Sequence, residues 1–272
     1  MDANAEGRRK CWVARRDGRI EEDWVAVEEP LEIRVNGKPV AVTMRTPGQD
    51  RQLAAGFLFT EGLLQHRGQI ETLQHYPDPA RPGANEVIGL LLEEGVDVDP
   101  ERMRQAQRDF LAAAGCGLCG KTSIEDVFQR WPTIEPLDWR RDLLGELPER
   151  MRAAQKLFAD TGGLHAAALF NPEGELLTLF EDIGRHNAVD KVIGHALLED
   201  WLPLRQHVLV VSSRAGFEIV QKALMAAIPT LVAVGAASSL AVQLAGQKGM
   251  ELYSFTGRHR GNRHLQADRF KR

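Results

Sequence analysis

Three cysteines in 272 residues are too few and too unevenly spread to build a disulfide framework. Nor is there an excess of basic charge. The formal net charge is −4, so no global field draws the chain to nucleic acid or to a membrane surface. The first residues, "MDANAEGRRKCWVARRDGRIEEDW", contain no apolar run that could act as a signal peptide, which predicts a cytoplasmic protein. No Walker and no Gly-x-Gly-x-x-Gly pattern occurs, which removes the standard nucleotide loops. The one long uncharged run, Ala223 to Gly246, is divided by Pro229, Gly235 and Ser238-Ser239. It reads as a helix end, a buried strand and a second helix rather than a membrane span.

What is present has the balance of a globular chain, 43% hydrophobic and 26% charged, with enough residues for two sizeable cores. Residues 1–20 read as a disordered polar lead-in. Residues 21–130 read as a smaller α+β lobe: alternation around Asn36-Gly37 predicts a hairpin, and a helix follows with Asp50 as its N-cap. "NEVIGLLLEE" predicts a strand, and Asp99-Pro100 opens another helix. Residues 131–150, rich in proline and charge, read as a connection. Residues 151–272 begin with a helix over 151–160 that ends at Gly162-Gly163, then a hairpin, then alternating helices and strands that predict a largely parallel three-layer α/β sheet.

Chemistry concentrates in four places. "GCGLCGK" holds Cys116 and Cys119 two residues apart among Gly115, Gly117 and Gly120, with Lys121 beside them. Structural zinc needs four ligands where this pair offers two; His165 is the best-placed histidine to add a third. A thioredoxin-type dithiol would sit at a strand-to-helix junction, whereas this pair follows a helix. Flexible glycines and a neighbouring lysine suit an exposed thiolate nucleophile, and two structural cysteines are the bland alternative. "FEDIGRHNAVDKVIG" packs Glu181, Asp182, Arg185, His186, Asn187, Asp190 and Lys191 into a helix start. Such a run is either a solvated helix face or a site that orients a proton donor or holds an anion. "SSRAGFE" and "GAASS" follow two consecutive strands, where helix N-termini offer amides and Arg214 could pair with a phosphate. "FTGRHRGNRH" (255–264) adds arginines and histidines suited to a polyanion, or forms a basic tail.

Together these motifs, with "RTPGQDRQLAAGFLFTEG", "TGGLHAAALF" and "SSLAVQLA", resemble the formate dehydrogenase accessory sulfurtransferase family, the FdhD/NarQ type, from about residue 30 to 264. The resemblance implies a sulfur carrier. A cysteine desulfurase would load Cys116 as a persulfide, with Cys119 as its partner or second acceptor. The sulfur would pass to the molybdenum or tungsten bis-guanine-dinucleotide cofactor, which the formate dehydrogenase catalytic subunit then receives. The family's cofactor-binding segment maps to Phe255, Thr256, Gly257, Arg258, His259 and Arg260, with Arg214, Arg185 and His186 as further candidates. A cytidine-deaminase-like fold without protein-bound zinc, and a homodimer, are also implied. The chain departs from the family pattern at Ser213 and Ala237, where glycine and proline are common. It departs again at Ser254, Gly257 and His264, in place of glycine, arginine and tyrosine, and at Ala114-Gly115, where serine is usual before Cys116.

Overall fold

The computed structural model describes residues 7–76, 86–104, 106 and 132–265; Cys116, Cys119 and the glycines around them lie outside the described residues. β1 (Arg8–Ala14) and β2 (Ile20–Ala26) form an antiparallel hairpin with Cys11 opposite Asp23. Residues 8–14 of the expected lead-in are therefore a strand, and Cys11 lies in it. The charges that make this stretch read as loose are what pair it: Lys10–Glu22 at 2.7 Å and Arg15–Asp23 at 2.8 Å cross the hairpin. Arg8 also lies over the Trp24 ring, 4.6 Å from its centroid.

β3 (Glu29–Val35) and β4 (Lys38–Arg45) close around Asn36 and Gly37, both at positive φ (47° and 76°), as a two-residue hairpin turn requires. With β5 (Ile70–His75) and β6 (Val87–Leu92) they make a four-stranded sheet in the order β4-β3-β6-β5. Helix α1 (Asp50–Thr60) follows β4, but Asp50 is not its N-cap. Gln49 takes that place at φ 54°, and the Asp50 carboxylate turns to Arg45 (2.9 and 3.1 Å) and His75 (3.2 Å). Two nitrogen donors on a buried carboxylate outweigh one backbone amide. Residues 100–104 are helical, opened as expected by Asp99, whose carboxylate accepts from the Glu101 amide at 2.8 Å.

The second sheet has six strands: β7 (His165–Phe170), β8 (Leu176–Asp182), β9 (Val208–Val211), β10 (Thr230–Ala233), β11 (Glu251–Gly257) and β12 (Arg260–Arg263). Their order is β12-β11-β10-β9-β7-β8. Only the β9–β10 and β10–β11 pairings are parallel; β7 and β12 run against the other four strands, so the sheet is mixed rather than largely parallel. Tight hairpins cause the reversals, at Asn171–Glu175 and at 257–260. The basic run after β11 is thus a hairpin arm, not a tail.

Alternate residues of the central strands enter two cores. Leu169, Leu209, Val211, Leu231 and Leu252 face α4 (Arg185–Leu198), α5 (Phe217–Met225) and α6 (Ser239–Lys248). Phe170, Val208, Val210 and Val232 meet Leu137, Trp139, Leu147 and Met151 on the other face. The expected 151–160 helix is two, α2 (Leu147–Ala154) and α3 (Lys156–Thr161), broken at Gln155 (ψ 91°). The uncharged run 223–246 is the end of α5, then β10, then most of α6, as the sequence suggests. No helix among the described residues is long and apolar enough to cross a membrane.

The first core continues through α1 to the four-stranded sheet, so α1 and α4 lie between the two sheets. They cross at glycine on glycine. A Cβ on Gly56 would stand 1.8 Å from the Asp190 carbonyl oxygen, and one on Gly194 would stand 1.8 Å from that of Gln52. Backbone meets backbone there, and no side chain fits.

Candidate functional site

Topology gathers the chemistry at one edge of the six-stranded sheet. The carboxyl ends of β9, β10 and β11 point the same way, and the antiparallel partners β7 and β8 bring His165 and Asp182 to that edge. Open α/β sheets bind ligands at such an edge. The loops there are laced together. Gly235 donates its amide to Ser213 O (3.0 Å), Phe255 to Gly235 O (2.9 Å) and Ala215 to Ala236 O (2.9 Å). Arg214, Gly235 and Phe255 therefore stand side by side. Phe255 is held at φ 51° with its ring 45% exposed, a strained placement for a bulky residue that favours contact with a ligand.

A cleft of ≈ 830 Å³ opens between this edge and α2–α3, lined among others by Arg152, Gln155, His165, Ser212, Thr256 and Arg260. Gln155 is 3% exposed and Thr256 1%, yet Gln155 Nε2 and Thr256 Oγ1 have no hydrogen-bond partner. Buried polar atoms are nearly always satisfied, so two orphans among the residues lining one cleft mark it as a candidate ligand site. Arg152 lies flat on the Phe158 ring at 3.7 Å, giving the cleft an apolar wall with a cationic cover. Ser212 Oγ accepts from the Ala166 amide (2.9 Å) and reaches His165 Nδ1 at 3.4 Å. Burial lowers the pKa of His165, and the charges of Arg185 and His186 push the same way. At neutral pH the ring is an uncharged imidazole that can accept a proton. Among the described residues no group of three or more His, Cys, Asp or Glu is gathered that could hold a metal.

The polar helix start divides cleanly. Asp182 is fully buried and fully used: Lys191 Nζ at 2.8 Å, Asn187 Nδ2 at 2.9 Å, and the amides of Gly184 (2.8 Å) and Thr46 (3.2 Å). Lys191 also donates to Thr46 O and Asn187 to Met44 O. Glu181 caps α3 by accepting from the Leu157 and Phe158 amides (2.9 and 2.8 Å). Asp190 accepts from Thr60 Oγ1 (3.0 Å) and from Lys222 Nζ (2.9 Å to each oxygen). Burial works against the Lys222 charge, but Asp190 and Glu61 outweigh it and raise its pKa. These five residues are scaffold rather than a solvated face: Glu181 anchors α3, and the other four bind β4 and α1 to the second sheet. Arg185 and His186 alone remain at the surface of the motif, with His186 Nε2 2.7 Å from Glu218.

Thr256, Gly257 and Arg260 of the expected segment line the cleft, while Arg258 and His259 are exposed at the hairpin turn, with Arg258 3.7 Å from Glu149. Two departures from the family pattern answer one another: Ser254 Oγ lies 2.8 Å from His264 Nε2 in a part-buried contact, and burial lowers the pKa of His264. Gln155 was not legible as a site residue. It lies in a run with helical periodicity, and no proline or glycine marks the break that turns it inward.

These features define a mixed α/β protein with a cleft at the strand ends, lined by buried uncharged polar groups beside exposed arginines. The chain belongs to the FdhD/NarQ family, whose model matches residues 26–271. It is 46% identical over 262 residues to "Sulfur carrier protein FdhD" of Streptomyces coelicolor, covering 93% of this chain and 92% of that one. It is 49% identical over 256 residues to the protein of the same name from Mycobacterium tuberculosis, covering 90% and 91%. A crystal structure described as that of a formate dehydrogenase accessory protein from Desulfotalea psychrophila superposes with a TM-score of 0.73 at 22% identity. It covers 96% of this chain and 98% of its own, and it shares the fold.

Proposed function

We propose that this protein is a sulfur carrier serving formate dehydrogenase. It takes sulfur from a cysteine desulfurase and delivers it to the molybdenum or tungsten bis-guanine-dinucleotide cofactor, which is substrate here. The observation that supports this most is the cleft: two orphaned buried polar groups, Gln155 and Thr256, beside Arg152 and Arg260, suit a large ligand with ring edges and phosphates. The names of its relatives supply the sulfur.

The Cys116 thiolate attacks the outer sulfur of the desulfurase persulfide; an S–S bond forms on Cys116 and the desulfurase thiolate leaves. Release at the sulfide level needs two electrons. Once the cofactor is bound, Cys119 provides them by attacking the Cys116 sulfur, expelling hydrosulfide and closing a Cys116–Cys119 disulfide. A homodimer, cytoplasmic location and a cytidine-deaminase-like second sheet belong to the same proposal.

Intact mass after incubation with a cysteine desulfurase and cysteine tests it, using wild type, Cys116→Ala and Cys119→Ala. A reducible gain of one sulfur that disappears only with Cys116→Ala is the expected result; no gain in any form overturns the sulfur chemistry. The second reading is a non-catalytic cofactor chaperone, favoured by a cleft whose lining among the described residues has polar and basic groups with no thiol in it. It predicts guanine dinucleotide binding that survives loss of both cysteines, with no persulfide formed.

A further inference from the structure

Among the described residues, nothing pairs with the outer side of β5, an edge of the four-stranded sheet. β5 (Ile70–His75) pairs with β6 alone, and all six of its residues line a groove of ≈ 440 Å³ whose far wall is Leu198 at the end of α4. The Tyr76 amide donates to Val87 O across the ladder, so antiparallel alternation turns the main-chain groups of Leu73 and His75 outward. A register shift between Ile70 and Thr72 confines regular outward spacing to Thr72–His75. The devices that normally blunt such an edge, lysine and proline, are missing from "IETLQH". Thr72 Oγ1 is buried with no partner.

Charge marks the ends of the groove. Arg67 precedes β5, and Arg51 follows Asp50, whose carboxylate touches His75 at the strand's other end (3.2 Å). Both guanidinium groups are exposed and lack an ion-pair partner among the described residues. Glu71 is the one carboxylate of the lining. A strand of this length spans about 20 Å, so one small anion cannot engage both arginines. An extended chain can.

We propose that β5 is a docking edge for an extended acidic segment of a partner protein, which adds to the sheet as a fifth strand with carboxylates on Arg51 and Arg67. Main-chain bonds to the free edge supply affinity, and the two arginines set the composition and reach of what is accepted. This edge belongs to the other sheet from the cleft, and its occupation does not depend on the sulfur chemistry.

The test is fluorescence anisotropy on the full chain. The probe is a labelled peptide of about six residues, with glutamate at both ends and valine and threonine alternating between. Wild type binds it; Arg51→Glu with Arg67→Glu weakens binding by about tenfold or more, with the circular dichroism spectrum unchanged. On unaltered protein, the same peptide N-methylated at alternate amides loses a comparable factor, because its donors to the edge are gone. Equal affinity for the methylated peptide, equal affinity of the double variant, or displacement of the probe by inorganic phosphate at low concentration each overturns the proposal. If the double variant fails to fold, the methylated peptide decides alone.

Discussion

Two buried polar clusters lie within the same molecule, and they differ in one respect. Around Asp182, Asp190, Lys191 and Lys222 each charge has its opposite and the hydrogen bonds are made. Around Gln155 and Thr256 buried polar atoms go without. Satisfaction, not polarity, separates scaffold from site. A complete network holds one geometry and has nothing to offer a ligand; an incomplete one costs the empty protein stability that a ligand can restore.

Breaking the complete network has the largest expected effect. Asp190→Ala leaves the Lys222 ammonium buried without its closest counter-charge and is expected to cost about 3–5 kcal/mol, measured as a fall in urea midpoint. Gly194→Ala comes next. Its Cβ meets the Gln52 carbonyl, so α1 and α4 must separate, at about 3 kcal/mol, the upper end of the overpacking range. Calorimetry would read it.

Asp50 carries the acid limb. Burial raises its pKa, but the bond to His75 and the charge of Arg45 outweigh it, so the folded value lies below the ordinary carboxylate value. The stabilisation is therefore complete above about pH 3.9 and is lost as pH falls through the folded pKa. Asp50→Asn is expected to flatten stability against pH below about pH 4, with denaturant midpoints from pH 7 downward as the check.

The incomplete cluster responds oppositely. Arg260→Ala leaves the melting temperature in place while weakening guanine dinucleotide binding about tenfold, one charge-assisted hydrogen bond. Thr256→Val has the smallest effect on the fold. It removes a hydroxyl with no partner, so the empty protein is expected to lose less than about 0.5 kcal/mol or to gain, while titration calorimetry shows weaker ligand binding. A loss of stability from Thr256→Val as large as that from Asp190→Ala would erase the distinction between the clusters.

The sequence carried much of this where local rules govern. Asn36-Gly37 named its hairpin, Gly162 its helix end, and Pro229 and Gly235 cut the uncharged run where the structure does. It failed where distant partners decide. Asp50 looks like a cap because nothing nearby announces His75, and residues 8–14 look loose because their counter-charges arrive only with β2. Pro172 and Gly174 named the β7–β8 hairpin, but that β7 runs against β9, and β12 against β11, is pairing that alternation of elements does not encode. In the site, Thr256, Gly257 and Arg260 were legible through resemblance, whereas Gln155 was not, since only tertiary packing shows its side chain turned into the cleft. The motif "EDIGRHNAVDK" was legible as special, but its reason is cohesion between the sheets, which a linear pattern cannot tell from a site.

The crossing of Gly56 over Gly194 has a consequence for synthesis. The chain leaves the ribosome from its amino end, so α1 emerges well over a hundred residues before the backbone it must touch. Until α4 arrives, the apolar face of α1 has half its cover, and the first sheet cannot be locked in place. A nascent chain stopped before α4 would present that face to chaperones or aggregate. Completion of the second sheet is thus the event that commits the first.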